Sequence, residues 1–170
     1  INAQSLRNSI NDLQAFINAL NFRIDLVLVT ETWLNESDKK FYNLINYQSF
    51  HSVRDTGNGG GASIFVHNDC DIGNIVFEES INNNNIILIS LLKRHINIGL
   101  AYRQPNNKLD TNAKIFLNKL ELLLINHNNC YFFGDFNINL FADTSQVTEY
   151  KDKVFTNGFK FINSFSREYP

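Results

Sequence analysis

The sequence contains no methionine, two prolines, two cysteines and one tryptophan among its 170 residues. Cys70 and Cys130 provide neither a disulfide framework nor a zinc-ligand spacing, which is typical of a reducing, intracellular compartment. No apolar run approaches the ~20 residues of a membrane-spanning helix, so no membrane partner is expected. The chain opens at Ile1 without resembling a signal peptide and stops at Pro170 without a closing element. We therefore expect a fragment that is trimmed at both ends.

The apolar content of the chain is sufficient for one packed domain covering residues 1–170. Hydrophobic residues make up 44% of the sequence and 15 residues are Phe, which excludes a disordered chain. The formal net charge of −2 neither indicates a nucleic-acid-binding protein nor excludes one. An acidic metal site and a basic face can lie on the same molecule.

Hydrophobic periodicity predicts a mixture of helices and strands. A helix is expected from Ser5, which is placed to cap it, with Leu6, Ile10 and Leu13 on its apolar face. The other predicted elements are strands at 24–29, 47–53, 62–67, 75–78, 86–92, 96–102 and 130–133, a last strand from 159, and helices at 37–44, 113–124 and 147–156. The segment 82–85 is expected to be a polar hairpin loop without a function. This order predicts an α/β fold of two mixed sheets stacked face to face with helices outside, an α/β/β/α sandwich.

The stretch 129–137, which reads Asn-Cys-Tyr-Phe-Phe-Gly-Asp-Phe-Asn, carries the most distinctive pattern. Cys130 to Phe133 is a charge-free run of β-formers, typical of a strand that is buried on both faces. Asp135 and Asn137 follow at its carboxyl end, the edge at which open α/β sheets bind ligands. A carboxylate beside an amide suits a phosphate held near a divalent cation. The alternative is a plain strand-to-turn junction, since Gly, Asp and Asn are common turn residues.

Four separate predicted strands end in polar residues that could bind a phosphate or its metal ion: Asn2, Glu31, Tyr102, and Asp135 with Asn137. Glu31 lies within Val-Thr-Glu-Thr-Trp, directly after an apolar strand. A carboxylate among apolar neighbours must be paired or bind a metal, whereas a surface ion pair is the alternative. The repetition of this placement predicts that the five side chains converge on one site.

Five motif blocks extend this pattern: Asn-Ala-Gln-Ser-Leu from Asn2, Thr-Glu-Thr-Trp-Leu from Thr30, Gly-Gly-Gly-Ala-Ser-Ile from Gly59, Tyr-Arg-Gln-Pro from Tyr102 and Gly-Asp-Phe-Asn from Gly134. In this order they resemble the endonuclease/exonuclease/phosphatase superfamily, the group of DNase I and the apurinic/apyrimidinic endonucleases. The amino-acid sequences of these blocks are most similar to those of the endonuclease domain of non-LTR (LINE-like) retrotransposons. The resemblance covers essentially the whole chain and implies a DNase I-like fold.

The resemblance implies a role for each matching residue. Glu31 would hold Mg²⁺, or Mn²⁺ in its place, with Asn2 beside it. Tyr102 and Asn137 would donate hydrogen bonds to the phosphate, and Asp135 would orient or deprotonate the attacking water. These roles agree with the chemistry of phosphodiester hydrolysis, which depends on positioning and charge neutralisation. Basic and polar residues expected to contact DNA are Arg103, Ser166 and Arg167.

The implied function is a metal-dependent endonuclease that nicks double-stranded DNA to prime reverse transcription. A reverse transcriptase domain on the same parent polypeptide and action in the nucleus, on chromosomal DNA, follow from the same resemblance. Relatives carry a later Asp and a Ser-Asp-His stretch that would lie beyond Pro170, so we expect the strands bearing them to be missing. His51, His67, His95 and His127 do not occupy the family's histidine position. The alternatives are another phosphoesterase of the superfamily, such as a phosphatase or sphingomyelinase-like enzyme, and an inactive fragment or binding module.

Overall fold

The computed structural model of the protein describes residues 1–54, 57, 59–82, 84–105, 111–127 and 129–162. Ten helices and strands are formed in this part of the chain, with a single 3₁₀ turn at Lys39–Phe41. Their bounds are α1 Leu6–Ala19, β1 Leu26–Thr30, β2 Tyr47–Ser52, β3 Ala62–His67, β4 Ile72–Ile81, β5 Asn84–Leu91, β6 Ile96–Tyr102, α2 Thr111–Asn126, β7 Cys130–Asp135 and α3 Ser145–Thr156. Within the described ranges no helix combines the length and apolarity needed to cross a membrane.

The strands form two sheets. The first has the order β1-β3-β2 with antiparallel pairs, and Asn2 adds an isolated parallel bridge to Thr30. The second has the order β4-β5-β6-β7, in which β6 and β7 are parallel. Parallel neighbours require a crossover connection, and α2 provides it between β6 and β7. The prediction of two sheets is confirmed.

Three apolar clusters show how the layers are stacked. Between the sheets, Ile64 and Val66 of β3 pack against Ile87 and Ile89 of β5. Alternate residues of β5 point the other way, and Ile86 and Leu88 contact Phe116, Leu120 and Tyr150 of α2 and α3. Helix α1 covers the outer face of the first sheet through Leu6, Ile10 and Leu13, which contact Val29 and Phe65. The predicted α/β/β/α sandwich is therefore confirmed.

Strand β7 is not buried on both faces, and this expectation was wrong. Among the described residues β7 is the edge of the second sheet, and Tyr131 and Phe133 are 51% and 46% exposed. Only the alternate residues, Cys130 and Phe132, pack against the helix-side cluster. A charge-free apolar run has the same composition whether one or both of its faces are covered, so the sequence could not distinguish the two cases.

The expectations for the end of the chain are corrected in part. No strand begins at Phe159, because residues 159–162 are irregular. Phe159 and Phe161 instead pack against the helix-side cluster, and the Phe161 ring lies 5.4–5.5 Å from the Phe155 and Tyr150 rings. Aromatic contacts with α3 therefore hold this segment where ladder hydrogen bonds were expected.

Three local expectations also differ. The helix predicted at 37–44 is reduced to the 3₁₀ turn. Ser5 occupies the N-cap position of α1 but makes no side-chain capping bond, because its φ of 97° turns the backbone away from the usual cap geometry. Asn84 and Asn85 are not loop residues: they begin β5 and are buried.

Candidate active site

A row of three polar side chains ends the second sheet on the face that looks toward the first sheet. In the strand register, Asn85 of β5 pairs with Tyr102 of β6, and Tyr102 pairs with Asp135 of β7. The adjacent row on the same face consists of Ile87, Leu100 and Phe133. Since side chains alternate between faces, a change from an apolar to a polar row marks the end of the inter-sheet core. The polar row lies where β6 and β7 reach their carboxyl ends.

Glu31 approaches the same point from the first sheet. It directly follows β1, and the amino-terminal segment pairs alongside it. Ala3 N–H donates to Thr30 O and Ser5 N–H donates to Glu31 O, each at 2.9 Å. These bonds, with the Asn2–Thr30 bridge, place Asn2 beside the end of β1.

The Glu31 carboxylate accepts three hydrogen bonds. Oε2 accepts from the Trp33 indole Nε1–H at 2.6 Å and from Gly60 N–H at 2.9 Å, and Oε1 accepts from the Tyr102 hydroxyl. A carboxylate offers about four acceptor positions, so about one remains for another ligand. The side chain is held from both sheets and retains the capacity to bind a cation.

Asp135 is contacted by Asn2, which lies beside the end of β1. The Asn2 Nδ2 group donates to Asp135 Oδ2 at 3.5 Å, a long contact, and Asn137 N–H donates to Asp135 Oδ1 at 3.2 Å. Asn2 Oδ1 accepts from Gln4 N–H at 3.2 Å, which orients the amide. Asn2, Glu31, Tyr102, Asp135 and Asn137 therefore lie at one end of the two-sheet stack, as predicted.

Arg103 and Asn137 are hydrogen-bonded to each other in both directions. The Asn137 Nδ2 group donates to Arg103 O at 2.6 Å, while the Arg103 guanidinium donates to Phe136 O at 2.8 Å and to Asn137 O at 3.0 Å. Arg103 is only 7% exposed. These contacts give Arg103 a structural role at the turn after β7, and its predicted contact with DNA stays a prediction.

Strained backbone is concentrated at this site. Of the eight non-glycine residues with positive φ in the described part of the chain, five are site residues or their immediate neighbours: Gln4, Ser5, Glu31, Trp33 and Asn137. Such conformations cost on the order of 1–3 kcal/mol each when the residue is not Gly or Asn. They persist only where surrounding contacts enforce them, and their clustering is typical of a functional site.

The environment of Tyr102 keeps its hydroxyl protonated. Burial raises the pKa of Tyr102 well above the usual range, and the hydrogen bond to Glu31 raises the pKa further. The phenol is therefore a hydrogen-bond donor at neutral pH and not a base. Because it carries one proton, it cannot donate to Glu31 and to a phosphate at the same time.

The donor set fits a hard divalent cation. The described residues contain no group of three or more His, Cys, Asp or Glu side chains that could form a metal cage. Two carboxylates and an amide oxygen nevertheless match Mg²⁺, which retains several waters and takes one or two protein carboxylates together with substrate phosphate. Zinc, which prefers nitrogen and sulfur, does not fit these ligands.

Three contacts at the site were not predicted from the sequence: those of Trp33, Gly60 and Asn85. Gly60, within the glycine-rich motif block, donates to Glu31. Ser166 and Arg167 lie outside the described residues. Hydrogen bonds of His51 and His67 go to Ser63 and Asp69, away from the site.

The described part of the chain has the DNase I-like α/β fold. It is similar to the 3′ phosphatase NExo from Neisseria bound to a product DNA hairpin, with a TM-score of 0.69, 14% identity, and coverage of 92% of this chain and 69% of that one. An AP endonuclease from Archaeoglobus fulgidus gives a TM-score of 0.60, 16% identity, and coverage of 91% and 68%.

TDP2 of D. rerio, solved with a single-strand DNA product, gives a TM-score of 0.55 at 12% identity, and the match covers 91% of this chain but 59% of that one. No protein-family model matches the sequence. No characterised protein matches it by sequence either. At these identities the likeness is one of fold.

Proposed function

We propose that this chain is a divalent-metal-dependent phosphodiesterase that cleaves DNA. The observation that carries the proposal is the meeting of Glu31 and Asp135 from different sheets: Tyr102, the strand neighbour of Asp135, bonds Glu31, and Asn2, which lies beside the end of β1, bonds Asp135. Two carboxylates with neutral hydrogen-bond donors between them match the needs of phosphodiester hydrolysis. The shared fold with DNA-bound structures supports the same conclusion.

Each side chain has a defined task in the proposed reaction. Glu31 and Asn2 would hold Mg²⁺, or Mn²⁺, which supplies positive charge to the developing phosphate oxyanions when bound. Asp135 would accept a proton from the attacking water as the water oxygen bonds to phosphorus. The ester oxygen would leave with the electron pair of the broken P–O bond and take a proton from solvent. Tyr102 and Asn137 donate to phosphate oxygens, with the Tyr102 O–H rotating away from Glu31 to do so.

The finer proposal is an endonuclease of the retrotransposon type that nicks double-stranded target DNA for reverse transcription. It rests on the resemblance of the five motif blocks. The same resemblance supports a reverse transcriptase domain on the parent polypeptide, a nuclear site of action, and DNA contacts from Ser166 and Arg167.

A second candidate is hydrolysis of a phosphate monoester. The observation that favours it is the described fold itself, which is shared with the 3′ phosphatase NExo. One fold can hold different chemistry, so the substrate must be decided by experiment.

The test is nicking of supercoiled plasmid DNA with Mg²⁺ and with a chelator. We expect nicking that the chelator abolishes and that Glu31→Gln lowers ~10²-fold or more, because an electrostatic contact made in the transition state is worth that amount. Asp71→Asn is the control: Asp71 pairs with Lys93 at the far end of the sandwich and should not change the rate. Cleavage that is insensitive to both the chelator and Glu31→Gln contradicts the proposal.

Two further assays distinguish the phosphatase from a DNA-binding module without activity. Release of phosphate from a 3′-phosphorylated oligonucleotide without nicking supports the phosphatase. DNA binding without any hydrolysis supports the binding module.

A further inference from the structure

Asn85 is a fully buried polar residue at the edge of the site, with 0% exposure. Its Oδ1 atom accepts from Gly61 N–H at 2.7 Å. Its Nδ2 group donates to Val53 O at 2.9 Å and to Ser52 Oγ at 3.1 Å. One side chain of the second sheet therefore binds both ends of the loop that joins β2 to β3 in the first sheet.

The other side of this loop contacts Glu31 and its neighbours. Gly60 N–H donates to Glu31 Oε2, and Gly60 O accepts from Trp33 N–H, each at 2.9 Å. Gly61 O accepts a weaker bond from Thr32 N–H at 3.4 Å. The turn Gly59–Gly61 thus lies between Asn85 and the Glu31 carboxylate and is hydrogen-bonded to both.

The glycines cannot fix this turn by themselves. Gly59, Gly60 and Gly61 all have positive φ and no side chain, so their backbone is conformationally permissive. Their position depends on external hydrogen bonds, and the bond from Gly61 to Asn85 is the short one on the core side. Removing Asn85 would leave a buried N–H and a buried carbonyl without a partner, which destabilises this arrangement.

From these contacts we infer that Asn85 is a positioning residue, which acts on Glu31 through the Gly59–Gly61 turn. Asn85 holds Gly61, Gly60 N–H then fixes one carboxylate oxygen of Glu31, and the remaining acceptor position is directed to the cation. The inference takes Glu31 as the metal ligand and so rests on the proposed function. Asn85 itself touches no reacting group.

The single tryptophan offers a reporter of this arrangement that does not depend on activity. Trp33 is the only Trp in the chain, and its indole N–H donates to the same oxygen, Oε2, as Gly60. The metal-free protein should therefore show one indole N–H resonance in a ¹⁵N-correlated NMR spectrum. We expect Asn85→Leu to move this resonance, because the carboxylate loses one of its two fixed donors on that oxygen.

Asn84→Leu is the matched control. Asn84 is the neighbouring buried asparagine, 5% exposed, but its partners are Ile81 O and Gln104 N–H, not the glycine turn. It should lower stability without moving the indole resonance. Should the leucine variants fail to fold, Asn85→Ala and Asn84→Ala, which admit water in place of the lost amide, are compared in the same way.

Titration with Mn²⁺ then measures the effect on the cation. In the wild-type protein Mn²⁺ should broaden the indole resonance. Asn85→Leu should need ~10-fold more Mn²⁺ for the same broadening, because loss of a group that orients a metal ligand weakens metal affinity by about that factor. A wild-type protein that Mn²⁺ does not affect would contradict the metal site, while the metal-free comparison would still decide the role of Asn85. A folded Asn85 variant whose indole resonance moves no more than that of the Asn84 variant overturns the inference.

Discussion

At the scale of single residues, Tyr102 is the strand neighbour of Asp135 and hydrogen-bonds Glu31 through its hydroxyl. Its ring lies in the inter-sheet layer with 1% exposure, and its hydroxyl reaches Glu31 at the site. The ring therefore contributes to packing, whereas we propose that the hydroxyl takes part in hydrolysis. Substitutions that separate the two parts test the assignment.

Tyr102→Phe should leave the fold intact and slow DNA cleavage ~10²-fold, because the phosphate and Glu31 lose a preorganised donor. Single-turnover rates and melting temperature are the measurements. Tyr150→Phe removes the same atom from a buried ring in the helix-side cluster and should leave the cleavage rate unchanged. If both variants lose the same fraction of the cleavage rate, the hydroxyl of Tyr102 has no specific role in cleavage.

His51 makes stability depend on acidity. Burial lowers the pKa of His51 to about 4, and Lys39 adds to the effect. Its Nδ1 atom bonds Ser63 Oγ, whereas its buried Nε2 atom has no partner among the described residues. The folded state thus favours the neutral ring, so stability is full above pH 6.5 and falls as the pH drops toward 4.

The loss of unfolding free energy over this window should be on the order of 3 kcal/mol at most, since one pKa unit corresponds to ~1.4 kcal/mol. Urea unfolding at several pH values measures it. His51→Gln should flatten the dependence, and His95→Gln, on an exposed turn, should not. A wild-type slope that His51→Gln leaves unchanged would place the acid sensitivity elsewhere.

The sequence predicted the residues that follow strands but not the contacts that join them. Glu31 and Tyr102 were found because an apolar run leads to each one, and Asn2 because it stands in the first of the motif blocks. Asn85 was missed because its bonds to Gly61, Ser52 and Val53 form only when the two sheets stack. The bond from Trp33 to Glu31 is local, but it accompanies a positive φ at both residues, which the sequence pattern does not reveal. A polar Asn pair also has low strand propensity, and tertiary burial overrode that propensity in β5.

At the scale of elements, the Gly59–Gly61 turn cannot readily accept a side chain, and Gly61 shows why. Gly61 has a φ of +88°, and a Cβ there would lie 2.3 Å from Thr32 Oγ1. Gly57 also has positive φ, at +70°, but a Cβ there would meet nothing within 4 Å. An alanine would have a strained backbone at either position, but only at position 61 would its Cβ also clash with Thr32.

Gly61→Ala should therefore be more destabilising than Gly57→Ala, which costs ~1 kcal/mol from strain alone. The clash should add ~1–3 kcal/mol and displace the turn from Glu31. Thermal unfolding of both variants is the measurement. Equal costs would mean that Thr32 can move aside and that the turn is loosely held.

Strand bounds show where sequence patterns are informative. The predictions at Ala62–His67 and Ile96–Tyr102 agree with β3 and β6, whose apolar runs end in clear turn residues. Strand β4 was predicted too short because its pattern is broken by register shifts after Ile72 and Ile75. Bulges change the side-chain period locally, so alternation alone could not locate its ends.

At the scale of the whole molecule, the second sheet has an open edge in the described part of the chain. The outer side of β7 pairs with no described strand, and Tyr131 and Phe133 are exposed beside it. An unpaired edge with apolar side chains promotes association.

Tyr131→Lys should therefore lower self-association, measured by sedimentation velocity across a concentration series. Phe41→Lys is the control, because Phe41 is 71% exposed but lies on the 3₁₀ turn and not on β7. Association that Phe41→Lys reduces as much as Tyr131→Lys would point to general surface hydrophobicity instead of the edge.

The central claim is that Glu31 and Asp135, from two different sheets, act as one catalytic unit. A double-mutant cycle with Glu31→Gln and Asp135→Asn, measured as kcat/KM for DNA cleavage, tests it most directly. Each single change should cost ~10²-fold or more, and the double variant should be little worse than the poorer single variant, because members of a unit are strongly non-additive. Losses that multiply in the double variant, with all variants folded, would show two independent groups and contradict the account.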